Sequence, residues 1–197
     1  MSSIARQKEY DAAYLDMCYR WADLSYAKRL KVGCFIIKND NIISQGRNGT
    51  PPGEDNCCEY DKQVFKVKDG VQTSETILCT KANVIHAERN ALARLTRSTE
   101  SCEGATMYIT HAPCYDCSLL IRSCGIARVV FSEIWHSDSG QRAGCNISPE
   151  QTLNELEEFG IRTLCSPVKN HFIKPYDSRR VTAEGHSLVF GAHRDCP

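Results

Sequence analysis

Two short stretches constrain this chain more than any other part of it. Pro113-Cys114-Tyr115-Asp116-Cys117 and His86-Ala87-Glu88 each stand where an irregular segment or strand end gives way to a helical pattern. Cys114 and Cys117 are three apart, so on a helix they share one face. Two thiols at that spacing can hold two corners of a metal tetrahedron. A helix N-terminus favours their thiolate form through its free N–H groups and dipole. Neither helix can close such a site alone, so the fold must carry two helix starts to one place. With His86 as third donor, one position is left for water. That is the open arrangement of a catalytic zinc, whereas a structural zinc is closed by four protein ligands. Glu88 can reach the water without ligating the metal, take its proton and return it to a substrate nitrogen. Each piece is weak alone, since Cys-x-x-Cys also serves as a redox pair or half of a structural zinc site. Their order and context, with Pro113 directly before the first thiol, make them specific.

The rest of the chain supplies the frame. Apolar residues recur at three and four from Arg6 to Arg29 (Tyr10, Ala13, Tyr14, Met17, Trp21, Leu24), which predicts an amphipathic helix. Val32 to Ile37, the turn Lys38-Asn39-Asp40-Asn41 and Ile42 to Ser44 read as a β-hairpin. Residues 46–83 read as a long polar, turn-rich loop carrying Cys57, Cys58 and Cys79. Helices are then expected over Ile85–Arg97, Cys114–Cys124 and Pro149–Phe159, the last capped by Ser148. Strands are expected over Thr106–Thr110, Ala127–Phe131 and Ile161–Leu164. Strand alternating with helix implies an α/β layered sandwich with a partly parallel sheet. Residues 166–197 read as an extended C-terminal tail.

Composition narrows the function. Lys+Arg and Asp+Glu are 24 each, a formal net charge of 0, so the chain lacks the basic excess of a protein that tracks nucleic acid. The N-terminus has no apolar h-region and no apolar run approaches a membrane span. A cytoplasmic location is expected, in host cytoplasm if the protein is viral. The 12 cysteines in 197 residues fall short of the roughly 8–10% of a disulfide scaffold. In a reducing compartment they are better explained by metal, catalysis or burial than by disulfides. Burial is the default for Cys34, Cys124 and Cys165. His136, His171, His186 and His193 show no partner in the sequence and are read as surface residues.

The motif His-x-Glu…Pro-Cys-x-x-Cys is that of hydrolytic nucleobase deaminases. With Lys31-Val32-Gly33, Gly46-Arg47-Asn48-Gly49-Thr50-Pro51, Asn56-Cys57-Cys58-Glu59-Tyr60, Ile85 to Ala91 and Glu103 to Thr110, the chain resembles the deoxycytidylate (dCMP) deaminase family of the cytidine deaminase superfamily, of phage or bacterial type. The resemblance implies a three-layer α/β/α sandwich with a mixed five-stranded sheet. It implies a catalytic domain over 1–165 with an insertion at about 50–85. It implies a hydrolase acting on the C–N bond of a cyclic amidine, converting dCMP to dUMP and ammonia for thymidylate synthesis. Matched residue by residue, His86, Cys114 and Cys117 are the zinc ligands and Glu88 the proton shuttle. Asn48, Ala87, Thr110, His111 and Trp135 are candidates for substrate contact. The family is similar in being homohexameric, activated by dCTP with Mg2+ and inhibited by dTTP, with Arg47, Asn48, Gly49 and Pro51 as the candidate effector loop. Some similar enzymes hold a second, structural zinc in the insertion, which makes Cys57, Cys58 and Cys79 its candidate ligands, with Cys18 a fourth only if the first helix passes near. Arg47 and Trp135 stand where family members often have Tyr. No nucleic acid or membrane partner is expected. Deamination of another cytosine nucleoside or nucleotide, or of a tRNA adenosine, is the alternative.

Overall fold

The computed structural model describes residues 3–68, 71–135 and 147–167. Helix α1 (Ser3–Ala22) leads into the antiparallel pair β1 (Gly33–Lys38) and β2 (Asn41–Arg47). Asn39 and Asp40 both have positive φ (50° and 60°), as a two-residue hairpin turn that matches strand twist requires. After β3 (Glu59–Lys68) and β4 (Val71–Thr80) come α2 (Ala87–Leu95), β5 (Thr106–His111), α3 (Tyr115–Ser123), β6 (Arg128–Glu133), α4 (Pro149–Glu158) and β7 (Arg162–Cys165). Five strands form one sheet in the order β2-β1-β5-β6-β7. β1 runs antiparallel to β2 and β5, whereas β5, β6 and β7 are parallel. This is the mixed five-stranded α/β sheet expected from the sequence.

The sheet separates two cores, because successive side chains of a strand point to opposite faces. Cys34, Ile36, Met107, Ile109, Val129 and Phe131 face α2, α3 and α4, where they meet Ala87, Ala91, Leu92, Ile121 and Leu156. Phe35, Ile37, Tyr108 and Val130 face α1 and meet Leu15 and Cys18. Two glycines set the helix spacing. A Cβ at Gly33 would lie 2.0 Å from the Cys18 carbonyl oxygen of α1, and one at Gly46 would lie 2.1 Å from the Ala87 carbonyl oxygen of α2. Helix α4 begins with a reciprocal capping box between Ser148 and Gln151 and has Pro149 in its first turn, as its sequence predicts.

Three expectations are corrected. First, α1 ends at Ala22, and its buried stripe is Asp11, Leu15, Cys18 and Ala22; Tyr10, Met17 and Leu24 are exposed. The offset follows from Asp11, a buried carboxylate paired with Arg128 of β6 at 2.6 Å and bonded by the Tyr108 hydroxyl at 2.8 Å. Second, residues 59–80 are not loop but a two-stranded antiparallel sheet, apart from the main one. Its strands are rich in β-formers (Tyr60, Val64, Phe65, Val67, Thr73, Thr76, Ile77), and the register Lys68↔Val71 leaves a two-residue connection of sequence Asp69-Gly70, a strong hairpin signal. Third, Cys165 is exposed, whereas Cys34 and Cys18 are fully buried. The tail beyond residue 167 and His136, His171, His186 and His193 lie outside the described residues. No helix of the described residues is long and apolar enough to cross a membrane.

Burial alone would raise the Asp11 carboxyl, but hydrogen bonds from Arg128, Gln7 and Tyr108 outweigh it and hold it below its ordinary value. Its stabilising contribution is therefore present above the unfolded carboxyl pKa and is lost as pH falls through and below it. Asp11→Asn leaves the Arg128 guanidinium uncompensated, at a cost of about 3 kcal/mol. At neutral pH the variant should melt about 10 °C below the parent, and the gap should narrow below about pH 4. A thermal melt series against pH checks both; a gap that widens on acidification overturns the assignment.

Candidate active site

The site forms where α2 and α3 begin. His86 is the N-cap of α2, with extended backbone (φ −69°, ψ 155°), and its carbonyl accepts the Asn90 N–H at 3.0 Å. Cys114 is the N-cap of α3 with the same geometry (φ −75°, ψ 166°), and Cys117 lies one turn on, fully buried. The Arg89–Asp116 pair at 3.4 Å joins the first turns of the two helices. No sequence pattern pointed to this tie, because it depends on how the helices pack.

His86 Nδ1 lies 3.4 Å from Cys114 Sγ and 3.5 Å from Cys117 Sγ. A tetrahedral zinc with Zn–S of about 2.3 Å and Zn–N of about 2.0 Å sets such donors about 3.6 Å apart. The three donors therefore fit one zinc, and theirs is the one metal-competent group of three or more donors among the described residues. A hydrogen bond from Cys117 and the nearby His86 outweigh burial and hold the Cys114 thiol down, at about 4. The same Cys117–Cys114 bond, together with burial, pushes Cys117 up.

Glu88 is 3% exposed and is the second residue of α2. Burial raises its carboxyl, the nearby His86 and Cys117 draw it back down, and Cys114 raises it. A carboxyl so placed can exchange a proton with whatever occupies the metal's open position. Ala87, the first residue of α2, is fully buried, with its carbonyl against Gly46.

The neighbouring loop is held to the site by backbone bonds. Gly49 and Ile85 form a bridge through two hydrogen bonds of 3.1 and 2.8 Å, and the Asn90 amide donates to the Arg47 carbonyl at 2.8 Å. The side chain of Asn48 accepts from the Val32 N–H at 2.9 Å and donates to the Leu30 carbonyl at 2.8 Å. Pro51 lies in a turn closed by the Glu54 N–H. At the end of β5, Thr110 is fully buried and its hydroxyl meets His111 Nδ1 at 2.9 Å. His111 Nε2 lies 3.6 Å from Glu133, which also accepts from the Tyr19 hydroxyl at 2.5 Å. Burial lowers the His111 pKa and Glu133 raises it. Trp135 packs against the core that carries α2 and α3.

The structure does not gather the candidate second zinc set. Cys58 is buried in a small cluster with Ala27 and Val84, Cys79 is paired with Tyr60 in the hairpin, and no metal-competent group of three donors among the described residues includes Cys57. Cys18 instead donates to the Tyr108 carbonyl inside the α1 core.

Comparison with known proteins agrees with this arrangement. A family model of the cytidine and deoxycytidylate deaminase zinc-binding region matches residues 8–133. The chain is 32% identical over 185 residues to a deoxycytidylate deaminase of Enterobacteria phage T4, covering 77% of this chain and 96% of that one. It is 35% identical over 123 residues to a deoxycytidylate deaminase of Mycobacterium phage D29, covering 62% and 94%. Among solved structures, the dCMP deaminase of cyanophage S-TIM5 superposes with a TM-score of 0.60 at 28% identity, covering 84% of this chain and all of that one. The same cyanophage enzyme, crystallised with dCMP and dUMP, gives a TM-score of 0.59 at 29% identity, covering 83% and 97%. The chain belongs to the cytidine and deoxycytidylate deaminase zinc-binding family.

Proposed function

We propose that this chain hydrolyses dCMP to dUMP and ammonia. The observation that carries the reading is the buried Glu88 carboxyl set among three zinc-competent donors, in a chain similar over most of its length to phage dCMP deaminases. His86, Cys114 and Cys117 hold the zinc. Zinc there supplies a Lewis acid that lowers the pKa of water toward neutrality. Glu88 takes the proton of the attacking water and passes it to N3 of cytosine. After oxygen adds at C4, Glu88 takes the remaining proton from the new C4 hydroxyl and gives it to the exocyclic amino group, so the C4 carbonyl forms as the C–N bond breaks and ammonia leaves. Asn48, Ala87, Thr110, His111 and Trp135 shape the nucleotide pocket, Asn48 by fixing the loop. The catalytic domain runs over 1–165 with residues 166–197 as its tail. The dUMP feeds thymidylate synthesis. dCTP with Mg2+ activates and dTTP inhibits through the Arg47–Pro51 loop, in a cytoplasmic homohexamer.

Ammonia release from dCMP, CMP, deoxycytidine, dCTP and tRNA tests the substrate. dCMP should lead; equal or faster release from deoxycytidine or tRNA overturns the mononucleotide reading. The rate against dCMP should be sigmoidal, shifting left with dCTP and right with dTTP. A hyperbola that neither nucleotide moves overturns the regulation. Light scattering should give six times the 22.1 kDa chain mass.

A further inference from the structure

The turn between α1 and β1 holds an anion in an unusual way. The consecutive backbone N–H groups of Lys28 and Arg29 both donate to one oxygen, Glu59 Oε1, at 3.0 and 3.2 Å. Successive amides converging on one point make an anion-binding concavity. The same turn carries three cations, Lys28, Arg29 and Lys31, all exposed. Among the described residues none of the three has a carboxylate within ion-pair distance of its charged group. The Arg29 guanidinium donates instead to the Thr80 hydroxyl at 3.1 Å, and Lys31 to the Asp23 carbonyl at 3.1 Å. An electropositive turn thus binds a single carboxylate through its backbone while its side-chain charges stay uncommitted.

The position of this turn gives it a consequence. Glu59 is the first residue of β3 and Thr80, its register partner, the last of β4, so the turn grips the base of the hairpin at both strands. On its other side the same turn supplies the Leu30 carbonyl and Val32 N–H that hold Asn48. Ser25 adds a bond from its hydroxyl to the Asn48 carbonyl at 2.8 Å.

We propose that the turn over residues 28–31 is a phosphate site, that Glu59 occupies it as an internal stand-in, and that the phosphate of a nucleotide displaces Glu59 from the two amides. A phosphate brings more charge and more acceptor oxygens than a carboxylate, and it can use the three cations that Glu59 leaves unpaired. Displacement frees the hairpin base and acts on the Asn48 loop through Leu30 and Val32. That the phosphate belongs to a nucleotide rests on the deaminase reading; the anion site does not.

The test is calorimetric titration of the zinc-loaded full chain with inorganic phosphate. Glu59→Gln keeps the acceptor but removes the competing charge, and should tighten phosphate about tenfold; Arg29→Ala should weaken it about tenfold. Equal affinity in the parent and both variants, or no binding in any, overturns the proposal. Two kinetic arms identify the source. If the phosphate is the substrate's, Arg29→Ala raises KM for dCMP and leaves that for deoxycytidine unchanged. If it belongs to a second nucleotide, KM for dCMP holds and dTTP binding weakens. Absence of ammonia release from every cytosine compound would sink the deaminase reading alone, because the phosphate titration needs no turnover.

Discussion

Glu88→Gln should lower ammonia release from dCMP by about a thousandfold or more while one zinc per chain remains bound. The amide keeps the shape of the carboxyl but cannot accept and return a proton. Glu88 sits at the second position of α2, buried beside Cys117, and is not itself one of the three donors, so the isosteric amide leaves the donor set complete. Cys114→Ser should show the opposite signature, losing the metal first and activity with it, because a donor is missing. Metal analysis beside a turnover assay separates the two. A Glu88→Gln protein that keeps more than a few per cent of parental turnover overturns the proton-shuttle role.

Gly46→Ala should cost both stability and zinc affinity, although the residue is not a donor. Its Cβ would lie 2.1 Å from the Ala87 carbonyl oxygen and 2.6 Å from the Ala91 nitrogen, both backbone atoms of α2. Backbone cannot yield as a side chain can, so α2 must move off the sheet. Overpacking of this kind costs about 3 kcal/mol, or about 10 °C in melting temperature for a domain of this size. Because α2 carries His86 and Glu88 at its first turn, zinc should also be lost to a chelator at lower chelator concentration. Gly33→Ala supplies the contrast. It collides equally with α1 at the Cys18 carbonyl, but α1 carries no donor, so stability should fall with zinc affinity unchanged. Equal zinc loss in both variants overturns the coupling of Gly46 to the site.

The parts of the fold that the sequence revealed are those written in local chemistry. The Ser148–Pro149 start of α4 and the Asn39–Asp40 turn carry residue types suited to their backbone conformation, and the His86 and Cys114 positions are marked by metal-ligand spacing. The hairpin over residues 59–80 was legible in principle from Asp69-Gly70 between β-forming runs, but its charged residues and lack of strict alternation disguise it as loop. The buried face of α1 was not legible. Asp11 reads as a surface residue until Arg128, 117 residues away, is known to lie beside it. The failure of Cys57, Cys58 and Cys79 to converge has the same origin, since proximity in sequence says nothing about the face a side chain takes.

The donor positions have a consequence beyond chemistry. His86, Cys114 and Cys117 lie at the starts of two different helices, with β5 threaded between them. An ion held there ties together two elements that are otherwise joined at their first turns mainly by an exposed ion pair. Metal supply then becomes a folding variable: each tenfold rise in free zinc above the dissociation constant adds about 1.4 kcal/mol to the native state. In a zinc-poor cell this protein would be depleted by unfolding and proteolysis, so its abundance, and not only its specific activity, would follow the metal.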